Sequence, residues 1–199
     1  MKEHILAKKI LLLAACGSIA ACLQIYQVHF IYWRGDFWTE IWRWWTGHWV
    51  HVSWMHLLLN MLAFVCLPFI FPEVKNRFFI VLMVLLPPAI SLCFYFFHRD
   101  IDAYAGFSGV LHGLYAAFAL SALQYPKERK FGLLVLFLII GKLVWEMMMG
   151  SLGTSELIGS PVLIEAHYLG ALWGAIFSLF YMGYIHFDLK AQQMKNNVD

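Results

Sequence analysis

A serine, four histidines and an asparagine stand in stretches that are otherwise apolar. Ser108 lies in GFSGVLHGL (106–114), with His112 one helical turn further on. His167 lies in EAHYLGALWG (165–174), and His51, His56 and Asn60 lie in HVSWMHLLLN (51–60). A serine hydroxyl is a weak nucleophile until an imidazole removes its proton. Further N–H groups can then hold the oxyanion that attack creates. These residue types together are the parts of an acyl-transfer site. The same stretches also carry Gly109, Gly113, Gly170 and Gly174, spaced by four within each pair, as in membrane helices that pack closely. Packing and chemistry are therefore both readings of GFSGVLHGL.

Whether these groups can meet depends on the elements that carry them. The 199 residues are 62% hydrophobic and 13% charged, a composition whose natural solvent is lipid. The formal net charge of +2 comes from clustered charges and gives no support to nucleic-acid binding. Apolar runs cover residues 5–28, 54–71, 78–97, 108–123, 131–149 and 166–185, each near the ~20 residues that span hydrocarbon. Leu13-Ala14-Ala15-Cys16 resembles a lipoprotein cleavage box, but the apolar run continues to Val28, which favours an uncleaved first span. The expectation is an all-α membrane protein, one domain over residues 1–199, with six transmembrane helices.

The basic residues set its orientation. With the N-terminus inside, Lys2, Lys8, Lys9, Lys75, Arg77, Lys127, Arg129, Lys130, Lys190 and Lys195 are cytoplasmic, and only Arg34, Arg43 and Arg99 are outside. Both termini are then cytoplasmic. The second, fourth and sixth spans begin outside, so His56, Ser108 and His167 lie at similar depth near the outer surface. His56 and Asn60 share a helix face, as do Ser108 and His112.

The first outer connection, 29–53, is tryptophan-rich. Together with Trp54 it holds seven of the nine tryptophans, which favours short helices lying in the headgroup region. In the fifth span Lys142 and Glu146 are an i,i+4 pair at a depth where charge is costly. They either neutralise one another against protein or help to receive a substrate. The four cysteines sit in apolar runs without a CxxC pair, so they are read as packing residues.

GFSG, AHYLGALWG and HVSWMHLLLN resemble the three core signatures of rhomboid intramembrane serine proteases. Glu40, Trp42, Arg43 and Thr46 resemble that family's Trp-Arg loop motif, and the resemblance runs from about residue 38 to 178. It implies a six-helix rhomboid bundle with an interfacial first loop. It also implies Ser108 as nucleophile and His167 as general base, a dyad with no acidic third member. The Ser108 N–H, His56 and Asn60 would be the oxyanion donors, and His51, at the loop–helix junction, would have a structural or water-retaining role. Glu40, Trp42 and Arg43 would form a hydrogen-bonded loop scaffold, while Gly106 and Gly109 would leave the backbone beside the serine open. Position 112 departs from the usual pattern, in which a tyrosine stacks on the catalytic imidazole. The Gly-x-Ser-Gly-x-Leu-His-Gly version resembles the rhombosortase subfamily. That implies a membrane-anchored substrate with a Gly-Gly-containing tail before its C-terminal membrane helix. A bacterial inner membrane, with the site facing the periplasm, is the corresponding location. No cofactor and no metal are expected. The rivals are a non-catalytic rhomboid-like helix binder, which would lack the serine or the histidine, and a histidine-rich metal or transport protein, for which no HExxH pair is present.

Overall fold

A computed structural model describes residues 2–151 and 153–196. The side chains of Lys2, Lys190 and Lys195, which enter the orientation count, lie outside the described part. The elements in chain order are α1 (Lys2–Ile25), β1 (Tyr32–Trp33), α2 (Arg43–Thr46), α3 (Trp54–Ile70) and α4 (Asn76–Phe97). They continue as β2 (Ala103–Tyr104), α5 (Ser108–Ala122), α6 (Arg129–Met149), α7 (Thr154–Ile158) and α8 (Ile164–Asn196). Four helices are long and apolar enough to cross a membrane, at Ala7–Ile25, Asn76–Phe97, Arg129–Met149 and Ile164–Phe187. The chain is a multi-pass, mostly helical membrane protein. Two further apolar helices, α3 and α5, are shorter, with 17 and 15 residues. At 1.5 Å per residue they measure roughly 25 and 22 Å, less than the ~30 Å of hydrocarbon.

The last helix outruns its apolar segment. No glycine or proline follows Ile185, and Leu189, Lys190, Ala191, Gln192 and Gln193 are good helix formers, so the helix continues to Asn196.

Helix α5 forms the centre. Its sequence SGVLHGLYAAFALSA is rich in small residues, which lets neighbouring backbones approach closely, and most of its residues are buried. Its tightest partner is α8. A Cβ at Gly109 would lie 2.8 Å from the Ala166 carbonyl oxygen, and one at Gly113 would lie 2.8 Å from that of Gly170. A Cβ at Gly170 or Gly174 would collide with the carbonyl of Gly109 or Gly113 respectively. One turn further on, Ser178 Oγ donates to the Ala117 carbonyl at 2.9 Å. Glycine and serine every fourth residue thus form one continuous seam, the arrangement that small-xxx-small spacing produces.

Two prolines, Pro87 and Pro88, lie inside α4. Pro88 lacks the N–H that would bond the Val84 carbonyl. The Trp45 indole N–H donates to that carbonyl at 2.9 Å, so the tryptophan-rich loop closes the gap. At the end of α4, Arg34 donates to the carbonyls of Tyr95 (2.8 Å), Phe94 (2.5 Å) and His98, and its Nε donates to Ile101 (3.1 Å). Of these, the Tyr95 carbonyl is one that a helix C-terminus leaves without an intrahelical partner, whereas those of Phe94 and His98 also accept from the His98 and Ile101 N–H groups.

The first loop is tied to the rest of the protein by strand pairing and ring stacking. A two-residue antiparallel ladder pairs Tyr32 with Tyr104 and Trp33 with Ala103, a small departure from an all-helical expectation. Phe37 stacks between Trp44 and Tyr95, with ring centroids at 4.7 and 4.1 Å. The tryptophans divide accordingly: Trp33, Trp38, Trp42 and Trp54 are exposed, and Trp44, Trp45 and Trp49 are half-buried. Of the cysteines, Cys16 and Cys93 are buried as packing residues, whereas Cys22 and Cys66 are exposed.

Candidate active site

Ser108 is the first residue of α5 and His167 sits in the first turn of α8. The glycine seam below them draws the two helix starts together. Ser108 Oγ lies 2.9 Å from His167 Nε2, a hydrogen-bonding distance. The two residues are 59 apart in sequence and are brought together by packing alone.

The turn before Ser108 is fixed by two hydrogen bonds. The Gly106 N–H donates to the Gly47 carbonyl at 3.1 Å, and the Phe107 N–H donates to His51 Nε2 at 3.3 Å. His51 is held in turn by Gln24, whose side chain accepts from the His51 N–H (2.7 Å) and donates to the His51 carbonyl (2.8 Å). Gln24 therefore acts as a piece of strand, and nothing in the spacing of the sequence indicated it. Because His51 Nε2 accepts, its proton is on Nδ1. Burial pushes the His51 ring down to about 3, with His56 lowering it further, so the ring is neutral. His48 is likewise pushed down to about 3 by burial, and its Nε2 lies 3.0 Å from Ser91 Oγ.

Gly106 is needed for space. A Cβ there would come within 2.9 Å of His56 Cε1. His56 thus lies directly against the approach to Ser108, edge-on to His51 at 4.9 Å. Ser53 caps α3 by accepting from the His56 N–H at 3.2 Å.

Ser108, His56, Asn60, His112, Lys142, Glu146 and His167 all line one cavity of about 800 Å³. Its walls are α3, residues 103–105, α5, α6, α7, residues 160–163 and the start of α8. On the residues that line it, His56 Nδ1 and Asn60 Nδ2 are buried side-chain atoms with no hydrogen-bond partner among the described residues. Orphaned polar groups of this kind are expensive unless something arrives to pair with them. Tyr104, set in place by its ladder partner Tyr32, is a cavity group that sequence reading missed.

The surroundings of His167 differ from the expected dyad. Glu146 Oε2 lies 2.8 Å from His167 Nδ1, and both side chains are almost fully buried. The other oxygen, Oε1, accepts from Lys142 Nζ at 2.5 Å. The i,i+4 pair exists as expected, but the carboxylate is engaged through both oxygens and is not free to meet a substrate. Both residues line the cavity, Lys142 with 39% of its side chain exposed and Glu146 with almost none. Lys142 Nζ is also 3.1 Å from His112 Nε2, and His112 Nδ1 lies 2.7 Å from the Ser108 carbonyl oxygen. The His112 and His167 rings stack at 4.2 Å with 17° between planes, the place of the usual aromatic.

In the loop, Arg43 forms an ion pair with Glu40 and donates to the carbonyls of Ile31 (2.6 Å) and Val28 (3.3 Å). Trp42 is a correction. Its ring is 47% exposed and makes no side-chain hydrogen bond among the described residues, so it joins the scaffold only through its carbonyl. An indole at the headgroup level is better placed outward than buried without a partner.

No curated protein matches the chain. A family model described as the Rhomboid domain matches residues 38–184.

Proposed function

Since the chain belongs to the rhomboid family, whose members are intramembrane serine proteases, we propose that it cleaves a membrane-anchored protein by a Ser108–His167 mechanism. The supporting observation is the 2.9 Å approach of Ser108 Oγ to His167 Nε2 at the wall of a cavity that His56 and Asn60 also line.

In this reading His167 Nε2 takes the serine proton as Oγ attacks the scissile carbonyl. The carbonyl oxygen becomes an anion and meets the Ser108 N–H, His56 and Asn60, where one donor is typically worth about 3 kcal/mol in the transition state. The imidazolium then protonates the leaving amine, and an acyl-enzyme remains on Ser108. Water, deprotonated by the same imidazole, releases it. The peptide needs an extended segment to lie beside Ser108; contrary to the sequence expectation, Gly106 and Gly109 do not open that path, because both are buried, Gly106 against His56 and Gly109 against Ala166.

The bundle is proposed to cross the membrane six times, with both termini cytoplasmic. The site opens to the periplasm of a bacterial inner membrane. If the inner end of α5 is level with its neighbours, its short length places Ser108 below the outer surface. The His112-Gly113 pair after the serine favours the rhombosortase subfamily. The substrate would then carry a Gly-Gly-containing segment before its C-terminal membrane helix. Such a junction opens readily, because glycine is a poor helix former.

A serine-directed fluorophosphonate probe on the wild type and on Ser108→Ala, with a Gly-Gly-tailed membrane substrate assayed beside it, tests both levels. Ser108-dependent labelling with cleavage of the tail supports the full reading. Labelling with cleavage only of other single-span proteins supports a rhomboid protease of different specificity. Neither labelling nor cleavage would make the chain a membrane-helix binder.

A further inference from the structure

The contacts around Ser108 form a closed circuit that leaves from its hydroxyl and returns to its own carbonyl. The proton positions follow from the returning end. A carbonyl oxygen only accepts, so His112 Nδ1, 2.7 Å from it, carries a proton. Nε2 of the same ring faces the Lys142 ammonium at 3.1 Å and therefore presents a lone pair. Lys142 also donates to Glu146 Oε1 at 2.5 Å. Glu146 Oε2 accepts from His167 Nδ1 at 2.8 Å, which leaves His167 Nε2 unprotonated and 2.9 Å from the serine hydroxyl. Each bond in the circuit permits one direction of donation, and that direction ends with a base aimed at Ser108.

Resting on the reading of Ser108 and His167 as nucleophile and base, we propose that Glu146 is the third, positioning member of a Ser–His–Glu triad. Lys142 and His112 tie its carboxylate back to the Ser108 backbone. Glu146 holds the Nδ1 proton, fixing both the tautomer and the ring plane, and it faces the imidazolium that forms when the serine proton arrives. Lys142 keeps the resting circuit electrically neutral, since its charge and that of Glu146 cancel. The His112 ring, stacked at 4.2 Å, prevents His167 from turning about its long axis. His112, Glu146 and His167 have the donor types of a metal site and lie within 4.8 Å of one another. The Lys142 ammonium already bonds two of the three, so the cation of this cluster is the chain's own.

The proposal makes an unusual demand on glutamine. In Glu146→Gln only the amide oxygen can accept from Lys142, so the amide NH2 is turned toward His167 Nδ1. That forces the His167 proton onto Nε2, where it cannot accept from Ser108. Removing the lysine as well frees the amide to turn, offer its oxygen to His167 and restore the working tautomer.

The test measures the fluorophosphonate reaction in lipid nanodiscs, in which Ser108 Oγ bonds to phosphorus, fluoride leaves, and His167 takes the proton. Glu146→Gln should label about 1,000-fold more slowly than the wild type, by analogy with loss of the triad carboxylate in serine proteases. Glu146→Gln with Lys142→Met should label at least about tenfold faster than Glu146→Gln alone. Nitrogen-15 imidazole spectra should place the His167 proton on Nδ1 in the wild type and on Nε2 in Glu146→Gln. Labelling of Glu146→Gln within about threefold of wild type, or a double variant no faster than the single one, overturns the proposal. If Glu146→Gln fails to fold, the wild-type spectrum decides, because a proton on Nε2 of His167 is incompatible with the circuit. A wild type without Ser108-dependent labelling defeats the protease reading instead, and the same spectra still report whether Glu146 holds His167.

Discussion

The glycine seam makes a quantitative demand at Gly113. A methyl group there would stand 2.8 Å from the Gly170 carbonyl oxygen and 2.8 Å from both methyls of Leu86. Ordinary carbon contacts begin near 3.4 Å, so α5 and α8 must separate by about 0.6 Å. Leu86 is fully buried, and the Gly170 oxygen belongs to backbone, so neither neighbour can simply rotate away. A separation of that size one turn below the site stretches the 2.9 Å Ser108–His167 bond to roughly 3.5 Å, past useful hydrogen bonding. Gly113→Ala should therefore lower stability by about 1–3 kcal/mol through overpacking. It should also slow Ser108 labelling by roughly 100-fold through misplacement of the base. Thermal unfolding in nanodiscs and the fluorophosphonate rate measure the two effects. Leu86→Ala added to Gly113→Ala should not restore labelling, because the contact with the Gly170 oxygen remains. Gly141→Ala, where nothing lies within 4 Å, is the silent control. A Gly113→Ala protein with wild-type midpoint and rate would refute the claim that backbone contact at this seam sets the catalytic distance.

Three further outcomes are expected. His56→Ala should reduce the labelling rate by about 100-fold or more while changing the thermal midpoint little, since the lost group acts on the oxyanion; a wild-type rate would remove His56 from the oxyanion donors. Acidification should destabilise the fold through His48 and His51, both pushed down to about 3 by burial. The unfolded chain takes up these protons from about pH 6.5 downward and the folded one does not, so stability falls with pH, by at most about 4 kcal/mol for the two at pH 5. The midpoint at pH 7.5 and pH 5 checks this, and His48→Gln should reduce the difference; equal midpoints would mean the rings protonate inside the fold. Arg34→Lys should speed hydrogen exchange of the 98–102 segment by about tenfold or more, because an ammonium cannot reproduce a planar fork bonded to four carbonyls. Unchanged exchange would mean that the end of α4 holds without the arginine.

The parts of the site that were legible in the sequence are those whose cost shows locally. A serine or histidine inside an apolar run is conspicuous by itself, and glycines at four-residue spacing announce a helix contact. Ser108, His167, His56 and the seam were found that way. The place of Glu146 was not. With Lys142 one turn away it looked electrostatically complete, and its second partner, on α8, is reached only through tertiary packing. The same blindness hid Gln24, whose amide imitates a strand for His51, and Arg34, which is indistinguishable in sequence from an ordinary loop charge. The β1–β2 ladder is too short for any periodicity to mark it. The length of α8 exceeded its apolar stretch because helix propensity does not require hydrophobicity.

The distribution of ties around the cavity has a mechanical meaning. On one side the first loop is fastened to α4 through Trp45 and Arg34 and to the strand before Ser108 through β1, so that side behaves as a bracket. On the other side α6 turns a broad apolar face outward and reaches α8 and the top of α5 through the polar contacts of Glu146 and Lys142. Any outward swing of α6 that widened the cavity would carry the carboxylate with it. A shift of only about 1 Å would take the 2.8 Å bond to His167 beyond hydrogen-bonding range. The wall that would have to move is therefore wired to the base. Under the proposed mechanism this coupling would act as an interlock: with α6 displaced, Glu146 would no longer hold His167, and its return would restore the contact.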